Sequence, residues 1–276
     1  PKFSNMKMEP DIDKIYKDNG EIDIRYTSSA LSIKPSLLFK IKSEDITERL
    51  ISSAIMGGIN TKELFKLPLE KHNMAGVAIL KSIKYSFGSE IQAKIMDAYK
   101  LLGNNFSDEH IKILAERDGW FLRYLPKEIV NSYDDVMRIL NIPMNVKYIG
   151  NNKGAKETIL NSYLIHSIVR SDNSDEIIDM LSSVYPSIYG SLDENIKIQM
   201  IKEDRNIALH NYVKSINKPG INYFDLAKIP FTYLSEDKIR DLVLSLDKAR
   251  EYILNSGIPF MQINPKLAKI LKEVML

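Results

Sequence analysis

The sequence predicts an all-α fold, arranged as an irregular helical-repeat array of stacked helix pairs. The first supporting observation is a motif in which Ser or Asn follows a proline after five to eight residues. Acidic residues usually come next, and apolar residues at helical spacing follow them. Proline ends one helix, the polar residue caps the next, and the acids suit the positive end of its dipole. The copies start at Pro35, Pro68, Pro126, Pro186, Pro230 and Pro259.

The second observation is a similarity between segments that precede these prolines. ERDGWFLRYLP (116–126) is similar to EDRNIALHNYV (203–213) and, more loosely, to KDNGEIDIRYT (17–27). Each has a charged helix end, then Gly or Asn, then an apolar segment. Gly20 and Gly119 fit the position just after a helix, where glycine adopts left-handed backbone at little cost. One unit is therefore predicted as helix, Gly or Asn stop, short helix, proline turn and capped helix.

The elements of the first half follow from apolar residues at helical spacing. A short first helix should end near Gly20. Residues 21–26 alternate polar and apolar side chains, so a small N-terminal β element is the alternative there. Later helices are predicted over 43–56, 61–67, 73–87, 89–102, 107–117 and 132–140.

The second half contains the least regular stretch, residues 142–153, which includes Pro143 and Gly150. We expect a connector there between domains 1–141 and 154–276, with one continuous domain as the alternative. A short mid-chain strand over 146–149 is a further alternative. Helices are predicted over 155–169, 175–184, 191–202, 206–215, 235–255 and 265–274.

Polar residues before these helices are predicted to be N-caps, because their side-chain oxygens can accept from free backbone N–H groups. They are Ser43, Ser132, Ser191, Ser235 and Asn264. Each of the four serines precedes a pair of acids. A shared position at helix starts explains all four pairs better than general acid–base catalysis does. The pairs are Glu44/Asp45, Asp134/Asp135, Asp193/Glu194 and Glu236/Asp237.

The stretch DGWFLRYLPKEIVNSYDDVMRIL resembles a unit of an uncharacterised family of short α-helical repeats. That family is a domain of unknown function found in phage, viral and protist proteins. The resemblance covers about one unit, residues 107–141, and implies an α-helical repeat fold. It implies no activity, since the family has no assigned chemistry. The uneven spacings and the missing acids after Asn73 depart from the pattern and leave the unit boundaries open.

Composition limits the classes of function. The 276 residues carry 38 basic and 36 acidic side chains, a net charge of +2, which is too balanced for a protein whose main ligand is phosphate backbone. This balance does not exclude a local basic patch. The absence of cysteine excludes disulfides, zinc–thiolate sites and cysteine nucleophiles. Abundant Ile, Lys, Asn and Tyr, with AT-rich codons, indicate a low-GC source such as a phage.

No apolar run approaches the ~20 residues needed to span a bilayer, and the N-terminal residues lack the apolar core of a secretory signal. These features predict a soluble protein of the cytoplasm, or of the host cytoplasm or virion if the source is a phage. None of His72, His110, His166 and His210 lies in a metal-binding motif. We therefore predict no catalytic residue, no metal and no cofactor.

Two groups of residues are candidate contacts. Trp120, Arg123 and Tyr124 combine side chains that are enriched at binding hot spots, although burial in the core is the favoured alternative for Trp120. Lys147, Lys153 and Lys156 flank the irregular loop and are candidates for nucleic-acid contact, with solvated lysines as the alternative.

The evenly spaced lysines of the last predicted helix indicate a terminal capping helix, with binding to a membrane surface as the weaker alternative. These lysines are Lys266, Lys269 and Lys272.

Helical repeats expose an extended surface that binds a partner. We therefore expect a non-enzymatic protein–protein interaction or assembly module, whose partner is a protein or a neighbouring subunit. A nucleic-acid-binding helical-repeat protein is the alternative. A weaker alternative is an enzyme whose site is assembled from isolated Asp, Glu and His residues.

Overall fold

The computed structural model describes residues 9–84, 87–142, 153–255, 262 and 264–274. Within these ranges the regular structure is helical and no strand is present, which confirms the predicted all-α class. Tyr16 and Ile22 form an isolated antiparallel bridge. A strand over 21–26 does not form, because the Asp23 carboxylate accepts from the backbone N–H of Tyr26 at 3.0 Å and starts a helix at Ile24. The alternative strand at 146–149 lies outside the described residues.

Contacts divide the chain into two compact units. Unit 1 comprises Pro1–Pro126 and Ile142–Val146, and unit 2 comprises Lys127–Asn141 and Lys147–Leu276. The predicted connector lies almost wholly outside the described residues, so the domain division stated above stays a prediction.

Unit 1 alternates α-helices with shorter 3-10 helices. Helix α1 packs on α2, α2 packs on α3, and α3 packs on both α4 and α5. The described α-helices are α1 (Ile24–Ile33), α2 (Glu48–Met56), α3 (His72–Ser82), α4 (Gly88–Leu102) and α5 (Asp108–Arg117). The 3-10 helices are Ile12–Lys14, Pro35–Lys40, Ser43–Asp45, Thr61–Lys66, Leu69–Lys71, Gly103–Asn105 and Gly119–Tyr124.

Unit 2 contains longer helices separated by short ones. They are α6 (Tyr133–Asn141), α7 (Lys153–Ile159), α8 (Ile165–Ile168), α9 (Ser174–Val184), α10 (Ile188–Ser191), α11 (Glu194–Lys202), α12 (Ile207–Ile216), α13 (Tyr223–Ala227), α14 (Glu236–Ser245), α15 (Arg250–Asn255) and α16 (Pro265–Val274). A π-helical turn, Leu160–Leu164, joins α7 to α8, and a 3-10 helix, Phe231–Tyr233, precedes α14.

Helices α9, α12, α14 and α16 of unit 2 each contact the next one in the series. Ion pairs link neighbours at similar separations along the chain. Lys238 binds Asp204 at 2.7 Å, 34 residues away, and Lys269 binds Glu236 at 3.3 Å, 33 residues away. A helical repeat would produce such similar separations, although the repeat arrangement itself stays a prediction.

Three predicted N-caps are confirmed by hydrogen bonds from the backbone of the following helix. Ser132 accepts from Asp135 at 3.1 Å, Ser235 accepts from Lys238 at 3.2 Å, and Asn264 accepts from Lys266 at 2.8 Å. Three of the four acid pairs lie at the starts of α6, α11 and α14, as predicted. Glu44 and Asp45 instead lie in a separate 3-10 helix before α2.

Two predicted N-caps are wrong. Ser43 begins a 3-10 turn, and Thr47 caps α2 instead. Ser191 is the last residue of α10, and Asp193 occupies the N-cap position of α11.

Gly20 has the predicted left-handed backbone, with φ of 83°, whereas Gly119 does not and instead opens a 3-10 helix. Residues 203–213 and 116–126, which are similar in sequence, differ in structure. Residues from Ile207 onward form the long helix α12 rather than a short helix and a proline turn.

Replacing the confirmed cap Ser235 by alanine is expected to lower the free energy of unfolding by about 0.5–2 kcal/mol. The cause is loss of the hydrogen bond that the Lys238 N–H donates. Ser191→Ala is the matched control, because Ser191 ends a helix and caps none. Urea unfolding of both variants measures the difference, and equal losses would contradict the cap assignment.

Candidate functional site

Three nine-residue segments share a sequence pattern that the proline motif alone does not reveal. We call them capped segments 1, 2 and 3, comprising residues 60–68, 118–126 and 222–230. Each has Asn or Asp at position 1, Leu at position 5, Leu or Ile at position 8 and Pro at position 9. In each, the position-1 side chain accepts a hydrogen bond from the backbone N–H at position 3 and starts a short helix. The three bonds are Lys62 to Asn60 at 3.0 Å, Trp120 to Asp118 at 2.7 Å and Phe224 to Asn222 at 2.8 Å.

The inner face of each capped segment belongs to the core of its unit. The position-5 leucines, Leu64, Leu122 and Leu226, are each 0% exposed. The position-8 residues, Leu67, Leu125 and Ile229, are also buried. Position 5 lies within the short helix, whereas position 8 lies one or two residues after its end. Both ends of the short helix are therefore fixed, by the cap and by the buried face.

The outer face of each capped segment carries an aromatic ring and a cation. Positions 3, 6 and 7 are Lys62, Phe65 and Lys66 in segment 1, Trp120, Arg123 and Tyr124 in segment 2, and Phe224, Ala227 and Lys228 in segment 3. Rings and cations at these positions are exposed or half-buried. The outer face is therefore the part of each segment that is available to a partner.

Capped segment 2 brings together the three residues that the sequence proposed as a partner contact. The Arg123 guanidinium carbon lies 4.9 Å from the centre of the Trp120 ring and 5.6 Å from that of Tyr124. The two rings meet edge to face, with centroids 5.2 Å apart. Each of the three side chains is half-buried. The alternative that Trp120 is a core residue is wrong, because Phe121 and Leu122 occupy the core instead.

The start of α4 leaves room for the Tyr124 ring. A Cβ atom at Gly88 would lie 2.5 Å from the Tyr124 hydroxyl oxygen. Only glycine therefore leaves the phenol in its observed place without a shift. The orientation of this cluster thus depends on packing against α4 as well as on its own short helix.

Two buried side chains donate hydrogen bonds to the backbone of capped segment 3. Lys197, which is only 4% exposed, donates from Nζ to the carbonyl oxygen of Lys228 at 2.8 Å. The Tyr212 hydroxyl donates to the carbonyl oxygen of Asp225 at 2.6 Å. Burial lowers the pKa of Lys197 and raises the pKa of Tyr212. On the outer face, the Phe224 ring is 70% exposed.

Capped segment 1 is more strongly charged. Lys66 forms an ion pair with Glu63, and its Nζ lies 6.0 Å from the centre of the Phe39 ring. Phe65 meets the His72 ring edge to face at 6.0 Å, and His72 Nε2 lies within hydrogen-bonding distance of the Leu67 carbonyl oxygen, at 2.9 Å.

Two of the three lysines of the predicted patch lie within the described residues, both in α7. Lys147 lies outside those residues. Lys153 is exposed at the start of α7, whereas Lys156 donates to the Asn141 side chain at 2.8 Å. Nucleic-acid contact by these lysines therefore stays a prediction.

The last helix has the predicted amphipathic character. Its three lysines are exposed, and Leu267, Ile270 and Leu271 are each 0% exposed. Lys269 binds Glu236 of α14.

Among the described residues, no group of three or more His, Asp or Glu side chains is placed to hold a metal ion. His110 has a structural contact: its Nδ1 accepts from the backbone N–H of Ser107 at 3.0 Å, and burial lowers its pKa. Within the same ranges, no helix is long and apolar enough to cross a membrane.

Comparison with known proteins gives one local similarity. A DNA primase of Borreliella burgdorferi strain B31 is 26% identical to this chain over 105 residues. The aligned region is 38% of this chain and 20% of the primase, so the chain spans about a fifth of that relative's length. No protein-family model matches the chain, and neither does any solved structure.

The sequence comparison identified residues 116–126, which contain capped segment 2, but matched them to 203–213, which has a different structure. The pairing with 203–213 relied on a charged helix end, Gly or Asn, and an apolar segment, which helices of different length share. The informative signal was the spacing of Asn or Asp, Leu, Leu or Ile, and Pro at positions 1, 5, 8 and 9. These residue types fix the cap, the buried face and the end of the short helix.

Proposed function

We propose that this chain is a non-enzymatic helical binding module and that its ligand is single-stranded nucleic acid. The observation that carries this proposal is the cluster of Trp120, Arg123 and Tyr124. The local similarity to a protein named as a DNA primase supports it.

The cluster offers two kinds of contact that suit an unpaired nucleotide. Half-buried aromatic rings provide flat apolar surface on which any base can stack, worth about 1–3 kcal/mol per base. A guanidinium provides positive charge and a planar set of donors for a phosphate group. Because Arg123 already lies beside both rings, little side-chain freedom is lost when a ligand binds.

The charge of the chain predicts how such binding responds to salt. The net charge is only +2, and several cations of unit 2 are paired with acids more than 30 residues away in the same unit. Few phosphates are therefore neutralised, and each contributes a slope of about −0.7 in log K against log salt for single strands. We expect a shallow salt dependence, since stacking rather than charge supplies the affinity.

Trp120→Ala and Arg123→Ala are each expected to weaken binding of single-stranded DNA or RNA by about 5-fold to 100-fold. The measurement is fluorescence anisotropy of labelled oligo(dT) and oligo(U) of about 20 nucleotides, longer than typical ~4–16-nucleotide sites. Met56→Ala removes an exposed apolar side chain of the same unit outside the cluster and should leave affinity unchanged. Trp120→Phe keeps a ring and should retain most of the binding.

Trp120 is the only tryptophan in the chain, so quenching of its emission reports directly on the cluster. The proposal is contradicted if the wild-type chain binds neither oligonucleotide at about 100 μM, the weak end of non-specific affinities. It is also contradicted if duplex DNA binds as tightly as single strands, because paired bases offer no free faces.

A protein partner is the second candidate. It is favoured by the near-neutral charge and by large apolar side chains on the surface, including Leu69 and Phe87, each 82% exposed. In that case Trp120→Ala would weaken binding of a purified protein partner. Oligonucleotides would not compete with that partner for the chain.

A further inference from the structure

We infer that capped segment 3 is a second stacking site for single-stranded nucleic acid, formed by the Phe224 ring and the Lys228 ammonium group. This inference rests on the proposed function and assigns a separate site on unit 2. No relation in space between capped segments 2 and 3 is assumed.

The exposed Phe224 side chain indicates a binding site because it occupies the same position in its segment as Trp120. Single exposed apolar residues are common on protein surfaces and need no explanation by themselves. Phe224, however, occupies position 3, the position of Trp120 in capped segment 2. Its backbone N–H is held by the same cap geometry, at 2.8 Å from Asn222 Oδ1. The two rings therefore extend from equivalent backbone positions, and the Phe224 ring is 70% exposed.

The backbone that carries the Phe224 ring is fixed by hydrogen bonds from buried side chains. The buried Lys197 and Tyr212 donate to successive parts of the segment backbone, at Lys228 O and Asp225 O. Burial of a lysine ammonium is costly unless it is well paired, so Lys197 is expected to hold this carbonyl firmly. A ring on fixed backbone loses little freedom on binding a base.

The cation of the site can exchange its partner for a phosphate. Lys228 Nζ lies 3.8 Å from an Asp225 carboxylate oxygen, and both side chains are partly exposed. Exposed pairs of this kind contribute little to stability, and a phosphate oxygen can replace the carboxylate at small cost. The alkyl stem of Lys228 passes close to Gly190, where a Cβ atom would lie 2.8 Å from Lys228 Cδ.

The chemistry of the ring defines the ligand. A phenylalanine ring has no hydrogen-bonding group, so it stacks on any base without reading its edge. The site should therefore accept single-stranded DNA and RNA with little sequence preference.

The direct test moves the single tryptophan into the inferred site. In the double variant Trp120→Phe, Phe224→Trp of the full chain, emission of the new indole should be quenched when oligo(dT) is added. With Trp120→Ala already present, so that the first site is removed, Phe224→Ala should weaken the remaining oligonucleotide binding by about 5-fold to 100-fold in anisotropy titrations. Tyr233→Ala in the same background is the matched control, because it removes an aromatic ring that is 51% exposed outside the segment, and it should change affinity by less than about 2-fold.

The outcomes separate this inference from the proposed function. If wild-type protein binds and Trp120→Ala weakens binding, but Phe224→Ala adds no further loss to Trp120→Ala and the moved tryptophan is not quenched, the second site is overturned and the function stands. Equal losses in Phe224→Ala and Tyr233→Ala would also overturn it. If wild-type protein binds no oligonucleotide, or binds only a protein partner, both the function and the second site fail. Thermal melting confirms that each variant is folded.

Discussion

Replacing Leu122 by alanine is expected to lower the free energy of unfolding by about 2–5 kcal/mol, the range for large-to-small changes in a packed core. Leu122 occupies position 5 of capped segment 2 and is 0% exposed. Phe121 and Leu125 beside it are also buried. Because the cap and the proline fix both ends of this short helix, the backbone cannot move inward to fill the cavity. We therefore expect a value toward the upper half of that range.

Chemical unfolding monitored by circular dichroism measures this loss. Arg123→Ala is the matched control, one residue away on the outer face. It should cost less than about 1 kcal/mol, because the side chain is half-buried and lies outside the core. Leu64→Ala and Leu226→Ala test the same position in the other capped segments and should show similar losses. A loss below about 1 kcal/mol for Leu122→Ala would show that position 5 does not anchor the segment.

The helical class was predictable because its signal is local. Helix α14 is an example: Ser235 provides the cap, and Ile239, Leu242 and Val243 form one buried stripe. Cap, acids and spacing all lie within ten residues, so no knowledge of neighbouring helices is needed.

Choosing between two capping residues required tertiary information. At α2 and α11, a buried apolar residue separates the predicted serine from the real start: Ile46 is 3% exposed and Leu192 is 5% exposed. Both adopt extended backbone, which ends the preceding turn and delays the helix. At α14 the buried residue, Leu234, precedes the serine, so Ser235 caps the helix. In α2, α11 and α14 the N-cap position is therefore the residue directly after the buried one, and burial is not visible in a single sequence.

The candidate site was only partly predictable for the same reason. The sequence identified Trp120, Arg123 and Tyr124 as hot-spot residue types but favoured the core for Trp120. Three adjacent apolar residues, Trp120, Phe121 and Leu122, compete for one buried face of a short helix. The helix places positions 4 and 5 inward and position 3 at the surface. Only the register of the short helix, set by Asp118, decides which ring remains accessible.

Gly57→Ala is expected to destabilise the protein by about 1–3 kcal/mol, the usual cost of overpacking. Gly57 follows α2 with φ of −72°, which any residue can adopt, so its conformation does not require glycine. Space does. A Cβ atom there would lie 2.3 Å from the carbonyl oxygen of Leu31 and 3.0 Å from Cα of Ser32. Both are backbone atoms at the end of α1, so relief requires α1 and α2 to separate.

Gly88→Ala is the matched comparison, since its Cβ would also meet an atom at 2.5 Å, the Tyr124 hydroxyl oxygen. That atom is the end of a side chain and can move, so Gly88→Ala should cost less than about 1 kcal/mol. It should instead displace the Tyr124 ring and alter the emission of Trp120, whose ring centre is 5.2 Å away. Thermal or urea unfolding of both variants, with emission spectra, separates the two effects. Equal stability losses would contradict the distinction between a fixed backbone obstacle and a movable side chain. A pure stability loss at Gly57 with unchanged Trp120 emission would show that the α1–α2 contact can weaken without disturbing the candidate site.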